Sequence, residues 1–160
     1  MIEFRGLLES LQRNEVSFVI VDGIAATLHG SARLTFDLDV VYDRTPADLE
    51  RLVAALTPFA PYLRGAPPGL PFNFDVETLK RGLNFTLTTS DGSIDLLGEV
   101  SGIGNYAAAR QRADEAHMFG GTYYFLDLDA LIVSKRAAGR PKDFEAIAEL
   151  EAIREERGQA

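Results

Sequence analysis

The sequence of 160 residues contains no cysteine. The chain therefore has no disulfide framework, no thiol nucleophile and no thiolate metal site. It also has no apolar run that approaches the roughly 20 residues needed to cross a bilayer. Its first 16 residues form an amphipathic pattern with acidic side chains throughout, which is typical of neither a signal peptide nor a transit peptide. From these absences we expect a cytoplasmic protein that does not interact with a membrane.

Positive charge is also scarce, because 16 Lys and Arg residues stand against 24 Asp and Glu residues, for a net charge of −8. Broad, salt-driven binding to nucleic acid requires a basic face, so this balance argues against it. One stretch differs from the rest, since residues 131–142 contain four cationic side chains and no acid. This basic patch consists of Lys135, Arg136, Arg140 and Lys142. A local basic pocket is therefore compatible with the acidic composition.

The residues that are present predict a globular protein. The apolar content is 46% and the charged content is 25%, both typical of that class. The length suggests a single domain over residues 1–160. Asp91-Gly92 and Gly120-Gly121 each separate two predicted strands and indicate hairpins. Strands mixed with helices in this way predict an α/β or α+β fold with a mixed sheet flanked by helices.

Hydrophobic periodicity gives the approximate positions of the elements. The predicted helices cover residues 2–13, 24–29, 46–57, 105–110, 128–138 and 144 onward, and the predicted strands cover residues 16–21, 36–42, 83–89, 93–97, 115–119 and 122–126. Asp127 and Asp143 are expected to cap the helices that follow them. Five of the seven prolines lie within residues 58–73. That composition predicts a long irregular segment, and such segments in a compact domain tend to be functional or mobile.

Two acidic residues interrupt an apolar run. Asp37 and Asp39 have apolar neighbours that include Phe36, which indicates a buried strand. Two residues apart on a strand, their side chains leave the same face, with Cα atoms roughly 6.5 Å apart. Asp95 belongs to another predicted strand. If that strand pairs beside the first, a third carboxylate lies about 4.8 Å away.

Three unpaired acids at this spacing would repel one another and raise one another's pKa. A divalent cation removes the repulsion, and oxygen ligands without His or Cys suit Mg²⁺ or Mn²⁺. Carboxylates that hold such ions beside a triphosphate are the usual apparatus of phosphoryl and nucleotidyl transfer. The alternative is that Asp37 and Asp39 are strand-end acids that face water. A second Asp-Leu-Asp triplet, residues 127–129, precedes a predicted helix, where capping explains it.

The residues around this pair resemble the signature of the DNA polymerase β-like nucleotidyltransferase superfamily. Val21-Asp22-Gly23 stands where that signature has an apolar residue followed by Gly and then Gly or Ser, thirteen residues follow, and Asp37-Leu38-Asp39 and Ile94-Asp95-Leu96 supply the acids. The stretch TLHGSARLTFDLD, from Thr27, is similar to a small bacterial branch that includes AbiEii-type toxins. KRAAGRPKDFEAIAEL, from Lys135, is similar to the C-terminal part of that branch.

The resemblance implies a nucleotidyltransferase-like fold and a nucleoside triphosphate as substrate. It makes Asp37, Asp39 and Asp95 the catalytic residues and the ligands of Mg²⁺ or Mn²⁺. It also implies a nucleotide-binding role for five residues, namely Gly23, Arg33, Lys135, Arg140 and Lys142. Without the resemblance, Arg33 is equally well explained as a solvated loop arginine. His29 is more simply explained as a packed or capping histidine than as a catalytic one.

Asp22 departs from the signature, because the family has glycine at that position. In the family, this glycine lets the backbone approach the phosphates. An Asp there adds bulk and negative charge. Asp22 could cap the following helix, join the metal ligands, or mark a site that no longer turns over. An impaired protein of this fold, acting as a nucleotide-binding, interaction or antitoxin module, is therefore the alternative to an enzyme.

The identity of the acceptor stays open at this level. AbiEii-type relatives are toxins of toxin–antitoxin pairs, and some of them modify tRNA ends, so the resemblance implies an RNA acceptor and a cognate antitoxin or second subunit. The acidic net charge weakens the case for RNA unless the basic patch forms the docking surface. A protein or small-molecule acceptor is the other reading of the same residues.

Overall fold

The structure is a computed structural model, and it describes residues 2–159. Within these residues, seven strands form one mixed sheet, and seven helices and three short 3-10 turns connect them. The strands are β1 (Phe18–Val21), β2 (Asp37–Tyr42), β3 (Tyr62–Leu63), β4 (Phe85–Thr89), β5 (Gly92–Leu97), β6 (Ala113–Met118) and β7 (Gly121–Leu126). The helices are α1 (Arg5–Arg13), α2 (Asp22–Leu28), α3 (Pro46–Leu56), α4 (Val76–Arg81), α5 (Tyr106–Arg110), α6 (Leu128–Ala138) and α7 (Phe144–Gln159). The turns cover Ile2–Phe4, Thr57–Phe59 and Pro141–Asp143.

The centre of the sheet is β1 with β2. The strand order is β3-β4-β5-β2-β1-β7-β6. β1 runs antiparallel to β2 and parallel to β7, and β2 runs parallel to β5. All four residues of β1 are buried, as expected for a strand that is covered on both faces. The two central strands therefore fix the positions of the side chains at their ends.

Helices that carry one apolar stripe cover the sheet. In α1, Leu7, Leu8 and Leu11 are fully buried, while charged residues occupy the outer face. This helix packs against α3, and α6 packs against α7. The apolar stripes, joined by the inward side chains of the strands, form one continuous core. No helix among residues 2–159 is both long enough and apolar enough to cross a membrane.

The predicted mixed sheet flanked by helices is confirmed, with element bounds that differ by a few residues. Two local predictions of secondary structure were wrong, and one helix, α4, was not predicted. The segment 58–73 is not wholly irregular, because it contains β3. Phe36 is not part of the buried strand, since β2 begins at the next residue and the Phe36 side chain is 78% exposed.

The two predicted caps have different outcomes. Asp127 caps α6 as expected, because its Oδ1 accepts a hydrogen bond of 2.7 Å from the backbone N–H of Ala130. Asp143 does not cap α7. It lies in the 3-10 turn before that helix, and its carboxylate accepts hydrogen bonds from Arg140 and Lys135 instead.

One buried acid lies away from Asp37, Asp39 and Asp95. Asp48, on α3, is only 1% exposed. Its Oδ1 accepts a hydrogen bond of 2.7 Å from the backbone N–H of Ser17, and its Oδ2 is buried without a partner. Burial raises the pKa of Asp48 to about 6, and the negative charge of Asp43 adds to this, against the hydrogen bond from Ser17. Folding therefore favours the protonated form of this carboxyl group.

We predict that Asp48 makes stability depend on pH in a direction unusual for an acid. Because its pKa is higher in the folded state, its favourable contribution is complete below the unfolded value of about 3.8 and is lost as the pH rises through about 6. The side chain of Asp48→Asn cannot ionise. In urea unfolding, the free energy of unfolding of the variant relative to that of the wild type should therefore increase by about 1–3 kcal/mol between pH 4 and pH 8. A difference between the two proteins that is the same at every pH would contradict this.

Candidate active site

The parallel pairing of β2 with β5 brings the acidic residues of the two strands together. In this register Asp37 is opposite Ser93, and Asp39 is opposite Asp95. Directly paired residues point to the same face of a sheet, so Asp39 and Asp95 are lateral neighbours, with Asp37 one pleat further along. The apolar residues between them, such as Leu38 and Ile94, are fully buried on the other face. The core packing of the two strands thus fixes the register of the acids.

The surroundings of Asp39 disfavour the charged form of its carboxyl group. Burial, the charge of Asp22, and the hydrogen bond and charge of Asp95 together raise the pKa of Asp39 to about 9, and burial has the largest effect. Asp37 adds a smaller repulsion. In the absence of an added cation, Asp39 is therefore protonated at neutral pH and can donate a hydrogen bond to Asp95. A bound cation would reverse this shift, because it favours the charged form of the carboxyl group.

Asp22 adds a fourth carboxylate. It is the first residue of α2, and its φ of 56° lies in the left-handed region that glycine adopts without strain and that Asp tolerates. Its side chain makes no capping hydrogen bond. Instead, its Oδ1 lies 2.5 Å from Nζ of Lys135. Of the alternatives that the sequence left open, capping is therefore excluded, and the side chain lies beside the acidic cluster of Asp37, Asp39 and Asp95.

The basic patch divides into two parts. Nζ of Lys135 lies between Asp22 and Asp143, at 3.5 Å from the latter, and the Lys135 side chain is only 14% exposed. Nε of Arg140 donates a hydrogen bond of 2.7 Å to Asp143. Although burial acts to raise it, the pKa of Asp143 is lowered, because Arg140 and Lys135 stabilise its charged form. Arg136 points away and pairs with Glu151 on α7.

Arg64 is a site residue that the sequence analysis missed. Its guanidinium group lies between two of the acids, with Nη2 at 2.8 Å from Asp95 and Nη1 at 3.7 Å from Asp37. Arg64 directly follows β3, whose two residues are too few to produce a recognisable alternation in the sequence. One signal was present, since Arg64 is the only charged residue within 58–73.

The other predicted binding residues lie around the same cluster. Gly23 has no room for a side chain, because a Cβ atom there would stand 2.6 Å from Oγ1 of Thr35. Its packing requires glycine whatever it binds. Arg33 lies on the loop before β2, where its Nη1 is 3.5 Å from Glu145. Lys142 is exposed and borders a cavity that Asp37, Asp39 and Asp95 also line.

His29 has a structural role. Its ring is buried, packs on Phe125 and hydrogen-bonds through Nε2 to the carbonyl oxygen of Leu126 at 2.8 Å. Burial lowers its pKa, so the ring is neutral at physiological pH. The interpretation of His29 as a packed residue is supported by these contacts.

Two cavities meet at the acidic cluster. The first has a volume of about 400 Å³ and is bordered by α7, the loop before β2, and Lys135, Arg140 and Lys142 of the basic patch. The second has a volume of about 420 Å³, and its outer part is lined by Asn84, Glu99, Ser101 and Ser134. Five residues border both cavities, namely Asp22, Asp39, Asp95, Lys135 and Arg140. Each cavity is large enough for a small molecule, so two ligands could approach the same carboxylates from different sides.

The donor set suits a hard divalent cation, but the side chains are not arranged around one. Only carboxylate oxygens are offered, and a buried one, Oδ1 of Asp95, has no hydrogen-bond partner. Across residues 2–159, however, no group of three His, Asp or Glu side chains is positioned to hold a metal ion as it stands. The cations of Arg64 and Lys135 lie among the carboxylates instead. The register fits a metal site, and the side-chain positions do not yet form one.

Chemically, the site combines acids that can accept a proton or a metal ion with cations that can bind an anion. Asp39 and Asp95 supply the former, and Lys135 and Arg140 supply the latter. Such a combination suits a ligand that carries phosphate groups together with a metal ion.

Comparisons with known proteins support the fold. No protein-family model matches the chain, and no curated protein matches its sequence. Among solved structures, the chain is similar to a protein from Thermotoga maritima described as a “putative nucleotidyltransferase”. The TM-score is 0.54 at 12% sequence identity, over 98% of this chain and 91% of the other. The chain therefore has a nucleotidyltransferase-like fold, as its sequence predicted.

We predict that Asp22 weakens anion binding at this site. Asp22→Gly and Asp22→Asn both remove the carboxylate that neutralises Lys135, and both residue types tolerate the positive φ at this position. Isothermal titration with pyrophosphate should show about tenfold tighter binding to either variant, which corresponds to roughly 1.4 kcal/mol.

The matched control is Asp129→Asn, because Asp129 is an exposed acid that pairs with Arg154 on another part of the surface. The control should bind pyrophosphate like the wild type. Equal affinities for all the proteins would mean that Lys135 does not take part in binding the anion.

Proposed function

We propose that the protein is a metal-dependent nucleotidyltransferase that moves a nucleoside monophosphate from a nucleoside triphosphate to an acceptor. The observation that carries this proposal is the register of β2 with β5, which sets Asp39 beside Asp95 and Asp37 one pleat away. The presence of Lys135 and Arg140 next to these acids supports it, since a triphosphate needs both a metal ion and cationic side chains.

In this proposal the first cavity takes the nucleotide. Lys135, Arg140 and Lys142 would bind its β- and γ-phosphates, and Arg33 would contact it from the opposite loop. Asp37, Asp39 and Asp95 would hold Mg²⁺ or Mn²⁺. When bound, the metal ion would polarise the phosphoryl oxygens and neutralise the charge that develops on them.

The reaction is an in-line displacement at the α-phosphorus. The acceptor hydroxyl oxygen forms the new O–P bond, the bond from the α-phosphorus to the α–β bridging oxygen breaks, and pyrophosphate leaves. Asp95, which borders both cavities, would receive the proton of the hydroxyl group. The attacking and leaving oxygens must lie on opposite sides of the phosphorus, and the presence of two cavities that share the carboxylates is consistent with this requirement.

The acceptor would occupy the second cavity. Its outer lining of Asn84, Glu99, Ser101 and Ser134 is polar and carries no added positive charge. This lining favours a hydroxyl-bearing protein or small molecule over RNA, as does the net charge of −8. A tRNA acceptor would need the basic patch as its docking surface. By resemblance to AbiEii-type proteins, a role as the toxin of a toxin–antitoxin pair, with an antitoxin or second subunit as partner, is part of the proposal.

We predict that Asp39→Asn abolishes transfer. The substitution keeps the shape of a carboxyl group that is already neutral without metal, so the fold should persist, whereas the charged form needed for a metal ion is lost. Incubation with α-labelled nucleotides, Mg²⁺ and either total tRNA or cell lysate should show labelling by the wild type. We expect the transfer rate of the variant to be at least about a hundredfold lower than that of the wild type.

The second Asp-Leu-Asp triplet provides the control. Asp129→Asn changes an acid of identical local sequence whose side chain is 68% exposed, and it should transfer label at the wild-type rate. Undiminished transfer by Asp39→Asn would remove the assignment.

Two exposed apolar side chains support a nucleobase contact. Leu34 is 85% exposed and Phe36 is 78% exposed, and both border the first cavity. Large apolar side chains exposed at the rim of a polar cavity indicate a ligand with an apolar face. In the proposed complex, the base would stack on Phe36 while the phosphates lie near the basic patch.

We predict that Phe36→Ala weakens binding of a nonhydrolysable nucleoside triphosphate about tenfold, because base–aromatic stacking contributes roughly 1–3 kcal/mol. Binding of inorganic triphosphate should not change, since it has no base. Phe36→Tyr should restore nucleotide affinity, and Ile2→Ala, which removes an apolar side chain that is 80% exposed, should have no effect. If Phe36→Ala lowered the affinity for both ligands equally, the result would contradict a contact with the base.

A second candidate function is a nucleotide-binding or interaction module, including an antitoxin, that does not turn over. The ion pair of Asp22 with Lys135 favours it, because that pair neutralises a cation that the enzyme would need to bind the phosphates. The two candidates differ in one measurement. A module binds nucleotide and Mg²⁺ without transferring label, whereas an enzyme does both.

A further inference from the structure

Arg64 occupies the space between the carboxylates that the proposed function assigns to a metal ion. Its backbone is fixed by a hydrogen bond of 3.0 Å from its N–H to the carbonyl oxygen of Thr86. Its side chain, only 28% exposed, extends across the sheet to Asp37 and Asp95. The guanidinium group is therefore a cation delivered to the acidic cluster from a separate strand.

The contacts of this guanidinium group are incomplete. Nη2 donates a hydrogen bond of 2.8 Å to the carbonyl oxygen of Leu87 and lies equally close to Oδ1 of Asp95. Yet Oδ1 of Asp95 accepts no properly oriented hydrogen bond, and Nε of Arg64 is buried without any partner. An arginine in a permanent buried ion pair usually forms two parallel hydrogen bonds to one carboxylate. Here charge attraction holds the group, and it does so without the bidentate geometry that would make it difficult to displace.

We propose that Arg64 is an internal counter-ion of the metal-free site, and that a divalent cation must displace its guanidinium group to bind. This inference rests on the proposed function, since it concerns the same metal site. It accounts for the disagreement between a register that fits a metal ion and side chains that do not converge on one. Arg64 and the metal ion compete for the same oxygens, those of Asp37 and Asp95, so only one of them can neutralise the cluster at a time.

The competition has a consequence that a purely structural arginine would not have. Removing Arg64 should destabilise the metal-free protein, because its acids lose their counter-ion. The same change should increase the affinity for a divalent cation, because the cation no longer displaces anything. A residue that only supports the fold would lower stability and would lower metal affinity with it.

The experiment measures binding of Mn²⁺ alone to the full chain, by electron paramagnetic resonance of the free ion and by isothermal titration. Arg64→Ala should bind Mn²⁺ about tenfold more tightly than the wild type. Arg64→Lys keeps the charge without the planar fork, so its affinity should lie between the two. Arg13→Ala, which removes an exposed arginine at the end of α1, should match the wild type.

Thermal unfolding of the same proteins is the second readout. Without metal, Arg64→Ala should unfold at a lower temperature than the wild type, and Mn²⁺ should restore more of its stability than it adds to the wild type. Should Arg64→Ala not fold, the comparison of Arg64→Lys with the wild type carries the same test.

The outcomes separate this inference from the proposed function. Tighter binding to the Arg64 variants supports both. Measurable and equal affinities in all four proteins would overturn the role of Arg64 and leave the metal site intact. Absence of Mn²⁺ binding to every protein would overturn both the competition and the metal-dependent reaction.

Discussion

The parallel pairing of β2 with β5 concentrates negative charge at one place, and the arrangement of the site follows from that constraint. Apolar side chains such as Leu38 and Ile94 fix the register from the buried face, so Asp39 and Asp95 cannot separate without disrupting the core. Carboxylate groups at this spacing must be either protonated or paired with cations. Asp39 meets this requirement by protonation, and the cation of Arg64 lies between the other acids of the two strands.

The same electrostatic requirement links the acids to the basic patch. Lys135 lies between Asp22 and Asp143, and Arg140 shares Asp143 with it. These cations are balanced by acids of the protein itself, so any ligand that uses them must compete with those acids. An anion accompanied by a metal ion would satisfy both halves of the site at once, because each charge on the ligand meets its opposite in the protein. We therefore propose that the site selects such a ligand over a simple anion.

The sequence predicted the mixed sheet and the nucleotidyltransferase-like fold because strong local signals coincided with a family pattern. The continuous apolar run of β1, the Asp-Leu-Asp triplet and the strand around Asp95 each give a clear local signal, and the pairing of β2 with β5 brings the acids together. What it could not predict depends on long-range contacts. β3 has two residues and is defined by its pairing with β4. The sequence therefore could not predict that Arg64 lies beside the acids. The pairing of Asp22 with Lys135 likewise depends on how α6 packs against α2, which no local pattern encodes.

We propose that the acids of β2 and β5 form one divalent-cation site beside a nucleotide. A crystal structure of the protein with Mn²⁺ and a nonhydrolysable nucleoside triphosphate, with anomalous data at the manganese edge, tests it most directly. We expect manganese bound by Asp37, Asp39 and Asp95 and by the phosphates, with Arg64 displaced from between the carboxylates. Manganese bound elsewhere, or acids still paired with Arg64 at saturating ligand, would contradict it.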